Sequence, residues 1–226
     1  GGPQPVNFLD PGHGATVPQY IDAKTGLADR ETDNGQETAD MLDVANRIKA
    51  ELEKSNYSVL LSRSSNDSKT TKRERVDAAQ NAKAQLAVSL HSDGSTTPIN
   101  QVWFQRVGTS RSYNGKTVTF SNEPTATKSK GYAETMAASR TAAEGNQVTT
   151  DPLGTTQAQS FSREGVPSKG NISLVQLWSD QVPWVYNEIS RDVNGVGLSE
   201  ARKNAYTKGV VEAIKKSITP SSGGGC

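Results

Sequence analysis

Short apolar runs alternate with amphipathic stretches along the first half of the chain. Three of these runs have the length of buried strands: Val6–Asp10, Tyr57–Ser62 and Leu86–Leu90. Between the first two, apolar residues recur at helical spacing and predict a helix whose buried face is formed by Met41, Val44, Ala45, Ile48 and Leu52. Lys72–Ala84 is helical by composition. This alternation predicts an α/β fold with a mostly parallel, twisted sheet flanked by helices.

The second half of the chain contains the remaining candidate elements. The predicted strands are Val102–Val107, Ile172–Leu177 and Trp184–Ile189, and the predicted helices are Thr127–Glu144 and Glu200–Ile218. We find no internal repeat and no second core. A single domain over residues 6–218 is therefore expected, and it has an ordinary size for one domain.

Three polar segments between these elements are unusually long for a single domain. They are Gly12–Gln36, Gly108–Thr125 and Asn146–Gly170. We predict that all three are loops, and that the last two line a site and select among its substrates.

Both ends of the chain are expected to be flexible. Residues 1–5 precede the first predicted strand. Residues 219–226 form a Ser/Gly tail, which is either a flexible terminus or a linker added for protein expression. The single cysteine, Cys226, ends this tail. We therefore expect no intrachain disulfide and no cysteine-based metal site.

Charge and hydropathy exclude two classes of partner. The 25 Lys and Arg residues nearly balance the 24 Asp and Glu residues, so the chain lacks the basic surface typical of nucleic-acid binding. It also lacks an apolar run of about 18 residues, the length that suggests a transmembrane helix. The first residues, GGPQPV, do not resemble a signal peptide. We expect a protein that is either cytoplasmic or the mature form of an exported one.

Four ionisable residues are candidates for a functional site. His13 follows the first predicted strand in DPGHG, His91 ends the third in SLHSD, and Glu188 ends the last in WVYNEIS. The carboxyl ends of parallel strands form the ligand-binding edge of α/β sheets. Glu37 begins the first helix, one turn before Met41, and so shares the buried face. Two imidazoles and one carboxylate suit a zinc ion with one position left for water.

Each candidate also has a purely structural interpretation. A single histidine is more often hydrogen-bonded in the fold than bound to a metal. Glu37 fits a capping box with Asn34, and Glu188 has a potential ion-pair partner in Arg191. The joint placement of all four residues at one sheet edge favours the functional interpretation.

The amino-acid sequences of these segments resemble those of a known family. DPGHG, ETADMLDVANRIKAEL, SLHSD and PWVYNEIS together are similar to the zinc amidases often called amidase_3, the cell-wall N-acetylmuramoyl-L-alanine amidases, and the resemblance extends over Val6–Ile218. It implies that His13, Glu37 and His91 bind Zn²⁺ and that Glu188 is the catalytic acid/base.

The resemblance also implies a substrate and a location. These enzymes hydrolyse the amide bond between N-acetylmuramic acid and L-alanine in peptidoglycan, so we expect a muramoyl-peptide stem as partner and a secreted or cell-envelope protein. Apart from the resemblance, we favour a monomer. Zinc would activate water and polarise the carbonyl, and Glu188 would pass the water proton to the leaving nitrogen. Asp10 and Asp93 are candidates for hydrogen bonds to the two imidazoles.

The sequence departs from the family pattern at several positions. Ala15 stands where the first motif usually has a second glycine, and Glu31 and Asp33 are rivals of Glu37 as the carboxylate ligand. The family glutamate precedes a leucine and an alanine of its helix at the same spacing at which Glu37 precedes Leu42 and Ala45, so the resemblance favours Glu37. Around Glu188, Asn187 replaces an apolar residue and Ile189–Ser190 replaces a glycine-aromatic pair. These changes keep open the alternative of a peptidoglycan-binding protein that retains the fold but does not cut.

Overall fold

The computed structural model describes residues 5–94, 97–153, 172–191 and 196–220. The strands within these ranges are β1 Val6–Pro11, β2 Val17–Ile21, β3 Ala28–Glu31, β4 Ser58–Leu61, β5 Leu86–Asp93, β6 Gln101–Phe104, β7 Ser110–Tyr113, β8 Lys116–Thr119, β9 Thr149–Pro152 and β10 Trp184–Ser190. The helices are α1 Gln36–Lys54, α2 Lys72–Asn81, α3 Glu123–Glu144, α4 Ile172–Trp178 and α5 Glu200–Ser217.

Six strands form the central sheet, in the order β4-β1-β5-β10-β6-β9. The first four are parallel, while β6 runs antiparallel to β10 and parallel to β9. The predicted single-domain, mostly parallel α/β fold is confirmed. In the pairing of β10 with β5, Glu188 stands directly opposite His91. The sheet register thus places two of the four candidate residues side by side.

Helices cover both faces of the sheet. The larger core lies under α1, α3 and α5, and it contains the predicted apolar face of α1: Met41, Val44, Ala45, Ile48 and Leu52. The second core lies under α2 and α4 and includes Phe8, Val76, Leu174 and Trp184. Strands that are buried on both faces read as continuous apolar runs, which explains why β1 and β5 show no polar alternation.

Local capping fixes where the helices begin. Thr71 and Glu74 form a capping box at the start of α2. The Asn122 side chain accepts from the Thr125 N–H and starts α3 at Glu123, four residues before the predicted start at Thr127. Unlike α2 and α3, α1 has no side-chain cap.

The predicted strand at Ile172–Leu177 is wrong, because this segment is the helix α4. A short apolar run is compatible with either structure, and its neighbours decide. Both sides of β10 are already occupied by β5 and β6, so the segment packs as a helix against α2 instead.

The predicted loops contain more structure than expected. Gly12–Gln36 includes the β2–β3 hairpin, and Gly108–Thr125 includes the β7–β8 hairpin. Asn146–Gly170 contributes β9 to the sheet, and residues 154–170 of it lie outside the described residues. The expected flexible ends, 1–5 and 219–226, also fall mainly outside them. No helix in the described part of the chain is long and apolar enough to cross a membrane.

Candidate active site

His13 lies in a turn that two buried arginines hold. It follows β1 and has a φ of 68°, in the left-handed region that residues other than glycine rarely adopt. Arg75 donates to the carbonyl oxygens of His13 at 2.6 Å and Pro11 at 3.0 Å. Arg63 donates to those of Pro11 at 3.0 Å and Gly12 at 2.8 Å. These bonds satisfy the buried carbonyl groups of the turn and hold its unusual backbone.

The His13 ring has a different partner at each nitrogen. Its Nδ1 lies 2.9 Å from the Thr32 carbonyl oxygen and 3.4 Å from Glu31 Oε1. Its Nε2 lies 3.3 Å from Glu37 Oε1. Because a carbonyl oxygen only accepts hydrogen bonds, the Nδ1 contact with Thr32 assigns a proton to Nδ1. In the neutral ring, Nε2 is therefore the nitrogen with a lone pair directed at Glu37.

His91 is enclosed by a glycine and an aromatic ring. A Cβ atom on Gly12 would overlap the imidazole, so only glycine leaves room for this ring. Tyr186 stacks on the other side, with ring centroids 4.3 Å apart and an interplanar angle of 21°. His91 Nδ1 lies 3.1 Å from Glu37 Oε2. The position of His91 is thus set by the turn after β1, by β10 and by α1 together.

Glu37 joins the two histidines. Its Oε1 faces His13 and its Oε2 faces His91, and Oε2 also accepts from the Ser92 N–H at 3.1 Å. Asn34 does donate from its side-chain amide to Glu37 Oε1. However, the N-cap of α1 is Gly35, which makes no side-chain cap, so the capping-box interpretation is wrong. The carboxylate points into the site.

The three side chains form a buried cluster with potential ligand atoms within 4.8 Å of one another. Burial opposes the charged form of His13, but the Glu37 carboxylate and hydrogen bonds with Glu31 and Glu37 raise the pKa of His13 to about 10. Burial lowers the pKa of His91. Although burial opposes it, attraction to His13 holds the pKa of Glu37 well below its usual range. The cluster stabilises positive charge beside Glu37, where a metal cation would replace a proton.

Glu188 stands beside His91 in the sheet register, on the same sheet face. Tyr186 donates from its hydroxyl to Glu188 Oε2 at 3.4 Å, and Arg140 donates to the Glu188 carbonyl oxygen at 3.1 Å. Burial, followed by repulsion from Glu37 and Asp93, raises the pKa of Glu188 well above its usual value. Such a carboxyl group holds a proton at a higher pH than an exposed one does.

The surroundings of Glu188 do not support the alternative that it forms a structural ion pair with Arg191. No ion pair joins it to Arg191 among the described residues. Two of the three unusual neighbours belong to the opposite face: Asn187 accepts from Arg140 at 3.1 Å, and Ile189 lies in the larger core. The third, Ser190, accepts from the Ile99 N–H at 3.0 Å through its hydroxyl oxygen. The first two substitutions serve packing and leave the Glu188 carboxyl group beside the histidines.

Comparison with protein families identifies the relatives of this fold and site. Residues 8–219 match the sequence model of Amidase_3, described as N-acetylmuramoyl-L-alanine amidase. The chain belongs to this family. The match extends from within β1 to beyond the end of α5 and therefore includes all four candidate residues.

Solved amidase structures share the fold at low identity. Ami1 of Mycobacterium smegmatis is 18% identical with a TM-score of 0.63, over 94% of this chain and 96% of that one. The apo form of Ami1 from Mycobacterium abscessus is 19% identical with a TM-score of 0.60, over 94% and 98%. The catalytic domain of CwlV from Bacillus (Paenibacillus) polymyxa is 18% identical with a TM-score of 0.57, over 94% and 97%. A comparison of the sequence with curated proteins found no significant match.

Asp10 has another role in this amidase fold than the predicted one. Its carboxylate accepts from Arg75 at 2.7 Å, and from Ser62 and Ser89, each at 2.7 Å. Among the described residues, the polar contacts of the imidazole nitrogens are with Thr32, Glu31 and Glu37 instead. The prediction that Asp10 binds an imidazole is therefore wrong.

The two rival carboxylates are also occupied elsewhere. Glu31 Oε2 lies 2.7 Å from Lys72 Nζ and 3.2 Å from Arg75 Nη2. Asp33 Oδ1 accepts from the Gly35 N–H at 2.9 Å and the Thr38 hydroxyl at 3.1 Å. Only Glu37 of the three contacts both histidines.

Sequence reasoning missed the cations behind the site. Lys72 and Arg75 are both buried, at 4% and 2% exposure. Lys72 precedes Val76 and Ala79 at helical spacing, which was a usable signal that it shares their buried face. Arg63 had no such signal, because a polar residue near a strand end is normally exposed. Tyr186 had one, because it precedes Glu188 by two residues in a predicted strand and residues at that spacing share a face.

Proposed function

We propose that this chain is a zinc-dependent N-acetylmuramoyl-L-alanine amidase that hydrolyses the bond between N-acetylmuramic acid and L-alanine in peptidoglycan. The observation that carries the proposal is the cluster of His13, Glu37 and His91, with Glu188 beside it and all four buried. Membership in the amidase family supplies the substrate class.

The chemistry of the cluster fits zinc. Two nitrogen donors and one carboxylate match the ligands that catalytic zinc sites use, with a further position left for water or substrate. The Nδ1 contact of His13 with Thr32 leaves Nε2 directed at the cluster centre. Metal-binding histidines usually have such a partner at the second nitrogen.

The residues of the site have different roles in hydrolysis. When bound, zinc supplies Lewis-acid activation of water and of the amide carbonyl. Glu188 takes a proton from the attacking water at its carboxylate and returns it to the leaving L-alanine nitrogen. Burial and the nearby carboxylates raise the pKa of Glu188, which makes its carboxylate a stronger base than an exposed one. Tyr186 orients Oε2 through its hydroxyl, and its ring holds His91 in place.

The substrate implies where the protein acts. Peptidoglycan lies outside the cytoplasmic membrane, so we propose a secreted or envelope location, with the muramoyl-peptide stem as partner. The residues that select among stem peptides are proposed to lie in the two segments Gly108–Thr125 and Asn146–Gly170.

The test is a combined metal and product analysis. We expect about one zinc per chain, and release of free L-alanine amino termini from peptidoglycan that stops when a chelator removes the metal and resumes when zinc is restored. Binding of peptidoglycan without new amino termini would instead identify a non-cutting wall-binding protein. Full activity in the chelated protein would refute the zinc proposal.

A further inference from the structure

A second carboxylate, Glu31, lies behind the His13 ring. Its Oε1 is 3.4 Å from His13 Nδ1 and accepts from the Thr32 N–H at 3.1 Å. The Thr32 carbonyl oxygen, in turn, lies 2.9 Å from the same Nδ1. Glu31 therefore contacts both the ring nitrogen and the residue that provides its other acceptor.

Glu31 is itself fixed by two buried cations from α2. Lys72 Nζ lies 2.7 Å and Arg75 Nη2 lies 3.2 Å from Glu31 Oε2. One carboxylate oxygen thus faces the cations and the other faces His13. A buried carboxylate needs such partners, because an uncompensated charge in the interior is costly.

The same cations connect this carboxylate to the backbone of His13. Arg75 donates to the His13 carbonyl oxygen, and Lys72 donates to that of Arg30, the residue before Glu31. A small cavity is lined by both imidazoles together with Glu31, Lys72 and Arg75. The hairpin strand β3, the helix α2 and the turn after β1 therefore meet around His13.

We infer that Glu31, fixed by Lys72 and Arg75, is a positioning residue that holds the His13 ring with Nε2 facing Glu37. The inference rests on the proposed metal site and adds a residue behind it. A ring held at its second nitrogen loses less freedom when it binds a metal, so the carboxylate strengthens metal binding without touching the metal. The role differs from that of a ligand, since the nearer contacts of Glu31 are with cations and the Thr32 N–H.

The test is zinc affinity, measured by competition with a chromophoric chelator. Glu31→Gln keeps the size of the side chain and removes its charge. We expect it to weaken zinc binding about 10- to 100-fold, the usual effect of losing a partner of a metal-binding histidine. The absorption of the cobalt-loaded protein should shift as well, because the ring changes its orientation at the metal.

Asp29→Asn is the matched control. Asp29 lies on the same hairpin, is equally buried, and contacts the same helix through the Lys72 N–H at 3.2 Å, yet its described partners do not include His13. Both variants lose a buried charge, so both are expected to unfold more easily. Only Glu31→Gln should change zinc affinity and the cobalt spectrum.

A second variant covers the case in which Glu31→Gln does not fold. The double variant Glu31→Gln/Lys72→Met removes both members of the ion pair and leaves no unpaired lysine. It should retain the weakened zinc affinity. Wild-type affinity in this double variant, or equal weakening by Asp29→Asn, would overturn the inference. Wild-type protein that binds no zinc would overturn the proposed function. Wild-type protein that binds zinc, but no more tightly than Glu31→Gln does, would overturn only the inference about Glu31.

Discussion

The two sides of the His13 ring each carry a buried glutamate, and the two glutamates have opposite surroundings. Glu37, at Nε2, contacts two imidazoles and an amide. Glu31, at Nδ1, contacts Lys72 and Arg75, which carry positive charge. We refer to these as the Glu37 side and the Glu31 side.

This difference distinguishes the two sides by the kind of positive group that faces each carboxylate. On the Glu31 side the charges are already compensated, so that side needs no further cation. On the Glu37 side the partners are imidazoles, which become metal ligands when they lose a proton, whereas the lysine and arginine of the Glu31 side have no free lone pair for a metal. A metal ion can therefore replace a proton only on the Glu37 side.

The largest expected effect is removal of a residue from the Glu37 side. Glu37→Ala and His91→Ala should each lose zinc and activity together, because a catalytic zinc site holds its metal with only three protein ligands. Metal analysis of the purified variants, with circular dichroism as the folding control, checks this. Zinc retained in full by both would contradict the proposed ligand set.

Glu188→Gln should separate chemistry from binding. The amide cannot take up a proton, so we expect a loss of about 10²- to 10⁴-fold in turnover of a muramoyl dipeptide. Zinc content should equal that of the wild type, because Glu188 is not in the ligand cluster. Turnover close to that of the wild type would show that another group moves the proton.

Arg75→Met, a change on the Glu31 side, should lower the stability of the folded protein. It leaves Asp10 and Glu31 buried with fewer cations, which costs about 3–5 kcal/mol in the free energy of unfolding. The control is Lys49→Met, which removes an exposed pair with Glu53 and should cost at most about 1 kcal/mol. Urea denaturation of both variants measures the difference, and similar losses would argue against a special role for the buried pairs.

Gly12→Ala tests the contact between the first turn and His91. The added methyl group would overlap the ring, and we expect a cost of about 1–3 kcal/mol together with weaker zinc binding, since the ring must move. Gly131→Ala, in an open position on α3, should instead stabilise the protein by up to about 1 kcal/mol. Thermal unfolding and zinc titration distinguish these outcomes; an unchanged zinc affinity in Gly12→Ala would mean that the ring position is not critical.

The smallest expected effect concerns Glu31 and the way in which the free energy of unfolding depends on pH in acid. Although burial favours the neutral acid, Lys72 and then Arg75 hold the pKa of Glu31 well below its usual range. The stability that Glu31 contributes is therefore fully present above the unfolded value of about 4.3 and is lost as the pH falls through the lower folded value. Between these two values the free energy of unfolding should decrease less steeply in Glu31→Gln than in the wild type. Parallel curves from urea denaturation at several pH values would contradict this.

Much of the fold follows from local pattern. The buried face of α1 was predicted residue by residue, because apolar residues at helical spacing share one face of a helix but would fall on both faces of a strand. Ile172–Leu177 was misassigned for the opposite reason: a short apolar run fits a strand or a helix equally well, and the decision depends on which sheet positions are already occupied. The hairpins within the predicted loops were missed because polar two-stranded sheets lack an apolar signal.

The sequence by itself determined the candidate residues, since His13 and His91 are the only histidines and both follow apolar strands. It left Glu31 and Glu37 as rivals that only family spacing could rank. The tertiary structure decided how their surroundings differ, because α2 brings Lys72 and Arg75 to Glu31 from about forty residues further along the chain. Local sequence gives a carboxylate its position on an element, but long-range packing supplies the charges around it, and those charges decide what the carboxylate can bind.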